Sequence, residues 1–244
     1  MLKIRQEDYI QQLSIDCVLF AYKDQELKVL VEKLRFKGDF WTLPGGFVKN
    51  SENLEEAATR IVYTRTGLKN IQLDQFYVFG DANRNSSYLL KKLIKLNPGV
   101  VDHQNQDKKY IDWLANRFVS IGYYAVVDIE KVEVKLNPLD ETIEWRNVYD
   151  MPALIMDHNK IVNRGLDALR NDMDKKGCAF RLLPKTFTMK DVLQVYETVF
   201  AKKFIRTNFQ KKILDMEVLT RLEKQYTGAA NKAPYLYTLK KTSQ

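Results

Sequence analysis

Apolar residues recur along this chain at two different periods. Over 14–34, SIDCVLFAY and LKVLVEKL are strand-like runs, and the polar Lys23-Asp24-Gln25-Glu26 between them predicts a hairpin turn. Trp41-Thr42-Leu43-Pro44-Gly45-Gly46 reads as a rigid turn. A helix is predicted over 54–66: Asn53 can cap it, Glu56 completes a capping box, and Gly67 is a natural stop. Strand-like runs follow at Ile71–Gly80, Phe118–Asp128 and Thr142–Tyr149. The polar, Lys-rich stretch 85–117 holds two short helical patterns, around Tyr88–Leu96 and Lys109–Asn116, and reads as an insertion in a loop. Met151-Pro152 marks a boundary. A helix is then expected from Asp157 to Lys176, with Ile161, Val162, Leu166, Leu169 and Met173 on one face and Gly177 at its end.

The last part of the chain has its own pattern. Thr188 with Asp191 forms a capping signal, and Met189, Val192, Leu193, Tyr196, Val199 and Phe200 then follow helical spacing. After Ala201-Lys202-Lys203-Phe204 a second helix is expected. Phe209, Ile213 and Leu214 form its buried stripe, and Arg206, Thr207, Asn208, Gln210, Lys211 and Lys212 lie opposite. Two helices, a tight turn and a basic exposed second helix match a helix-turn-helix. Tyr226–Leu239, with Gly228, Asn231 and Pro234 as turn residues and Tyr235–Leu239 alternating, reads as a β wing. Arg206, Asn208 and Gln210 offer hydrogen-bonding groups for base edges. Lys202, Lys203, Lys211 and Lys212 are the candidates for the phosphate backbone, and Thr207 and, on the wing, Asn231 and Lys232 are further DNA-binding candidates.

Composition and charge agree with two units. The chain has 244 residues, 45% apolar and 29% charged, which suits a sizeable core and excludes wholesale disorder. No apolar run approaches the roughly 18 residues of a membrane span, and the charged MLKIRQEDY start lacks an apolar signal core, so a cytoplasmic protein is expected. Cys17 and Cys178 each sit in an apolar run and read as buried, reduced thiols. The formal charge is +8, and residues 178–244 hold 13 Lys+Arg against 5 Asp+Glu, which accounts for all of it. A neutral body with a basic end points to an anionic partner for that end alone.

One motif carries chemistry by what it lacks. Gly46, Glu52, Arg60, Gly67 and Leu68 fall in the register of a Nudix box, and the preceding Trp41-Thr42-Leu43-Pro44-Gly45-Gly46 resembles the Trp-x-Leu-Pro-Gly-Gly of that family. The three glutamates that the family places after the arginine are replaced by Ile61, Thr64 and Arg65. Mg²⁺ takes carboxylate oxygens in octahedral geometry, and Thr64 and Arg65 supply none. Glu52, Glu55 and Glu56 remain near the helix start, where carboxylates also favour the helix dipole. No metal ligands and no catalytic residues are therefore assigned. His103 and His158 have no partner at metal spacing, and no G-x-S-x-G nucleophile motif is present.

A damaged box joined to a winged helix-turn-helix resembles the Nudix-related transcriptional regulators. Trp41–Val48, Phe79-Gly80-Asp81, Tyr123-Tyr124-Ala125 and Phe187–Leu214 carry the resemblance, which spans nearly the whole chain. It implies an α+β protein: a Nudix-like α/β/α sandwich over 1–152, a linker helix over 153–177 and a winged helix-turn-helix over 178–244. It also implies a homodimer on a palindromic operator in double-stranded DNA, a repressor without a cofactor, and a small-molecule effector that releases the DNA. Regulators of NAD synthesis in this family sense ADP-ribose, and another branch is sugar-responsive, with L-arabinose as effector. The 85–117 insertion and the box remnants favour the sugar branch, and hence carbohydrate metabolism. Lys33, Arg35, Leu43, Gly45, Asp81, Arg84 and Tyr124 are the effector candidates, and Trp41, Trp113 and Trp145 could stack on a sugar. Two other readings stand beside this one: a divergent Nudix hydrolase using Glu52, Glu55, Glu56 or Asp81, and an RNA-binding or scaffolding relative whose basic domain grips RNA.

Overall fold

The computed structural model describes residues 5–99, 106–175, 177–225 and 233–240. Its centre is one long strand, β1 (Tyr9–Lys23). Antiparallel to it run β2 (Glu26–Leu34) and β4 (Gly45–Lys49), and parallel to it runs β6 (Val119–Val126). β5 (Asp74–Phe79) lies beyond β6, and β3 (Trp41–Thr42) and β7 (Asp140–Asn147) both pair with β2, completing a seven-stranded mixed sheet. β1 begins well before Ser14. Its first part carries Gln11 and Gln12, and the left-handed Gln12 coincides with a register shift against β4, so no simple alternation marks it.

Strand alternation assigns the two faces of the sheet. Ile15, Cys17, Leu19 and Ala21 point to α1 (Leu54–Thr66), where they meet Ala57, Ala58, Ile61 and Val62. Val18 and Phe20 point the other way, to the apolar stripe Ile161, Val162, Leu166, Leu169 and Met173 of a later helix (His158–Lys175). That helix approaches closely because Gly165 has no Cβ: one placed there would lie 3.2 Å from Val18 Cγ2. It is therefore the second helical layer of the sandwich as well as the route to the C-terminal module. The insertion forms α2 (Ser87–Leu96) and α3 (Gln106–Ala115), so the long helix is α4. Trp113 on α3 is buried against Phe47, 4.5 Å between ring centroids, and against Tyr9 and Phe118. Trp41 and Trp145 also pack into the core clusters.

The α4 cluster continues without a break into the C-terminal module: α5 (Cys178–Arg181), β8 (Phe187–Thr188), α6 (Met189–Phe200), α7 (Arg206–Asp215), β9 (Leu219–Lys224) and β10 (Tyr235–Leu239). Phe180, Phe187, Val192, Tyr196, Val199, Phe209, Ile213 and Tyr237 fill it. The expected capping boxes form at Asn53–Glu56 and Thr188–Asp191. The wing is a three-stranded sheet in the order β8-β10-β9. The candidates Asn231 and Lys232, the turn residue Gly228, and His103 lie outside the described residues.

Candidate functional site

The three positions where a Nudix box carries glutamates are all committed to other chemistry. Ile61 packs on Gly46, where a Cβ would meet its Cγ1 at 3.1 Å. Thr64 Oγ1 donates back to the Ile61 carbonyl at 2.8 Å. Arg65 Nε lies 2.7 Å from Glu32 Oε1, and its Nη1 lies 3.7 Å from Asp140 Oδ2. The Arg65–Glu32 contact is off the line of a directed hydrogen bond. Two of the three remaining acids are also occupied, and the third, Glu55, is exposed. Glu52 accepts from Arg60 Nε at 2.8 Å and from the Lys49 backbone N–H, and Arg60 holds its carboxyl below the usual range. Glu56 accepts the Asn53 N–H in the capping box. Among the described residues no three His, Cys, Asp or Glu converge as metal ligands. A divalent ion held in the family's way does not fit this donor set: one position is hydrocarbon, one a hydroxyl and one a cation.

Burial pushes Glu32 up to about 8, with Arg65 opposing and Asp140 adding to the shift. A carboxyl raised in the folded state stabilises fully below its unfolded value, and that contribution is lost as pH rises through the folded value. Glu32→Gln should therefore remove a loss of stability between about pH 4.5 and 8. Urea midpoints of wild type and variant at pH 5 and 8 check this. Parallel pH dependence in the two proteins overturns it.

On the α4 face lies a buried polar cluster. Arg84, 5% exposed at its side chain, donates from Nε to Asp157 at 3.0 Å, from Nη1 to the Phe118 carbonyl at 3.1 Å and from Nη2 to Asp16 at 3.4 Å. Asp16 also accepts from Ser120 Oγ. His158 Nδ1 accepts the Leu43 N–H at 3.2 Å, which leaves its Nε2 facing Asp16 Oδ1 at 3.8 Å. A Cβ on Gly45 would sit 2.8 Å from Asp16 Oδ1, so glycine is what admits the carboxylate here.

Three of the seven effector candidates, Leu43, Gly45 and Arg84, thus meet in one place. Lys33 and Arg35 lie on and just beyond the end of β2. Lys33 pairs with Glu141 at 3.2 Å and Asp39 at 3.4 Å, and Arg35 Nη2 donates to the Asp140 carbonyl at 2.9 Å. Asp81 accepts the Asn83 N–H in a tight exposed turn. Tyr124 departs from the expected group. It is fully buried, and its hydroxyl donates to Asp172 on α4, pointing toward the C-terminal module. Asp16, Ser120, Asp157 and His158, which form the cluster around Arg84, were not among the sequence candidates. Their one signal was a polar Asp16 inside the apolar run 15–22. Both cysteines are buried, and burial raises both thiols, as inert residues require.

The winged module presents a second candidate surface. Ala201, in a left-handed conformation, turns the chain from α6 to α7. Phe209 and Ile213 anchor α7 inside, while Arg206, Thr207, Asn208, Lys211 and Lys212 are exposed. Leu214, expected in the stripe, is 41% exposed. Two of the four candidate phosphate lysines are held: Lys203 by Glu197 and Lys212 by Asp174, each at 2.6 Å. Burial pushes the Asp174 carboxyl upward, but Lys212 and the Tyr196 hydroxyl outweigh it and keep it below the usual range. Two open cavities flank this surface. One of about 620 Å³ lies between Gln25 and α6, and one of about 480 Å³ lies along Asn208, Lys211, Lys212 and Asp215.

Comparison with known proteins matches residues 11–163 to the NUDIX domain and residues 179–239 to the NrtR DNA-binding winged helix domain. A curated relative, the ADPR responsive transcriptional repressor NtrR of Acinetobacter baylyi, is 20% identical over 241 residues, covering 96% of this chain and 84% of the relative. The fold is that of NrtR from Shewanella oneidensis complexed with a 27mer DNA, with TM-score 0.67, 20% identity and 94% of each chain covered. A MutT/nudix family protein from Enterococcus faecalis shares it, with TM-score 0.66, 18% identity and coverage of 95% and 87%.

Proposed function

The chain belongs to the Nudix family, and we propose that it is a DNA-binding transcriptional repressor whose Nudix domain binds ADP-ribose as an effector without hydrolysing it. One observation carries this reading: a Nudix sandwich whose metal-ligand positions hold Ile61, Thr64 and Arg65 is joined through one shared core to a winged helix with an exposed basic second helix. The curated relative is named as ADP-ribose responsive, which supports ADP-ribose over the L-arabinose expected from the insertion. Lys33, Arg35 and Arg84 are the cations of the proposed effector-binding group, and each is held by protein acceptors that a diphosphate would have to join or replace. Leu43, Gly45 and Asp81 complete the proposed effector-binding group. A homodimer that places two α7 helices about one helical turn apart on a palindrome belongs to the same reading. No helix among the described residues is long and apolar enough to cross a membrane.

The test is fluorescence anisotropy on the DNA upstream of the chain's own gene, with ADP-ribose or L-arabinose titrated into the preformed complex. ADP-ribose should release the DNA equally in Mg²⁺ and in EDTA and be recovered intact, and L-arabinose should do nothing. Mg²⁺-dependent conversion of ADP-ribose to phosphate monoesters returns the hydrolase reading. Preference for single-stranded RNA over duplex DNA returns the RNA-binding one.

A further inference from the structure

A helix leaves its last carbonyls without intrahelical partners. In α6 the chain covers some of these itself: Ala201 N–H donates to the Thr198 carbonyl and Lys202 N–H to that of Glu197. The Val199 carbonyl is covered from outside the module. Tyr149, just after β7, places its hydroxyl 2.7 Å from the Val199 carbonyl and 2.9 Å from that of Thr198. Arg170 on α4 donates from Nε to the Val199 carbonyl at 2.9 Å and from Nη2 to the Tyr149 hydroxyl at 3.3 Å. A guanidinium at a helix C-terminus also meets the negative end of the dipole.

The hairpin tip grips the same helix from another side. Asp24 and Gln25 are both left-handed, a conformation that costs energy in residues other than glycine, and Gln25 bonds the Gln194 side chain and accepts from Thr198 Oγ1 at 3.3 Å. The 620 Å³ cavity opens between these contacts, so polar bonds rather than close packing govern this side of the junction. The held turn lies two residues before Ala201, whose left-handed backbone aims α7.

We propose that Tyr149 and Arg170 are positioning residues for DNA reading. They fix the last turn of α6 to the Nudix domain, and through it they set the direction of α7. The inference rests on the function proposed above. It makes the clamp the point where an effector-driven shift of the sandwich reaches the DNA-reading helix, since a coupled site needs contacts that differ between the two states.

The test uses the full-length double variant Y149F/R170Q. Wild type should show a coupling factor between ADP-ribose and DNA in the usual range of about 5- to 150-fold, and the variant should lose most of it while binding ADP-ribose as before. Hydrogen exchange supplies a readout that needs neither ligand: amides over 199–215 should exchange about fivefold faster or more in the variant, with α1 and β1 unchanged. If wild type ignores ADP-ribose, the functional reading fails, and the exchange result alone then decides the clamp. Unchanged exchange over 199–215, or an undiminished coupling factor, overturns it. The single variant R170K retains a cation at the helix end and should recover part of both effects.

Discussion

Replacing Lys202 and Lys211 together with alanine should weaken binding to duplex DNA about 10- to 100-fold near 0.15 M salt and flatten the salt dependence by roughly two phosphate contacts. Both lysines are exposed; Lys211 makes no ion pair among the described residues, and Lys202 lies over the Phe200 and Phe204 rings at 5.3 and 5.0 Å. Lys203 and Lys212 differ. Each must leave a carboxylate, Glu197 or Asp174, before it can reach a phosphate, so K203A and K212A should each cost less than K211A. Asn208→Ala tests the other half of the surface. A side chain that reads a base edge contributes about 1–3 kcal/mol of discrimination, so this change should weaken the preferred sequence and leave non-specific binding intact. Anisotropy titrations at several salt concentrations on operator and scrambled duplexes separate these effects. Equal losses for all four lysines with no effect of Asn208 would make the helix a general anion surface and not a reader.

The second large effect is on stability. Arg84→Met removes the guanidinium that faces Asp16 in the buried cluster and strips a donor from the Phe118 carbonyl. Breaking a buried ion pair from one side costs about 3–5 kcal/mol, because the surviving charge stays desolvated. The lower end applies here, since Asp157 is 26% exposed at its side chain and can turn to water, and the Asp16 contact is long at 3.4 Å. The double variant D16N/R84M should recover part of the loss, as asparagine still accepts from Ser120 without a charge to bury. Urea unfolding at pH 7 measures all three proteins. A loss below about 1 kcal/mol for R84M would mean water enters the cluster freely.

Much of the fold was legible because local rules and the global arrangement agree. The hairpin around Lys23–Glu26, helix α1 between its Asn53 box and Gly67, and the α6–α7 pair all follow from spacing and capping residues. The misses have physical causes. β4 runs Gly45–Lys49 through two glycines that give no strand signal, and it exists because β1 offers an edge. β9 is mostly exposed, so Leu219–Lys224 shows no inside–outside alternation, and it is a strand because β10 pairs with it. For the site, the missing glutamates could be read directly, but not what replaced them. Glu32, Arg65 and Asp140 are distant in sequence and meet only where the ends of β2, α1 and β7 converge. Tyr124 is a candidate as a polar aromatic group on the expected cleft; strand parity turns it to α4, where its hydroxyl bonds Asp172.

The arginine at position 65 also bears on where this chain can go by mutation. Arg65 lies against two carboxyl groups, one 2% exposed and the other fully buried at the side chain. Restoring a glutamate there by a single change would bring three acids together and remove the cation that touches both Glu32 and Asp140, leaving Arg35 beside Asp140 alone. The penalty, several kcal/mol for unpaired buried charge, rivals the whole stability margin of a typical domain, about 5–15 kcal/mol. Ile61 and Thr64 would need to change as well before a metal had its donors. A step toward the family's metal-ligand set through position 65 therefore lowers stability before it supplies a metal with donors. In the function proposed above, the same buried arginine that leaves the box without a ligand also holds the ends of β2, α1 and β7 together.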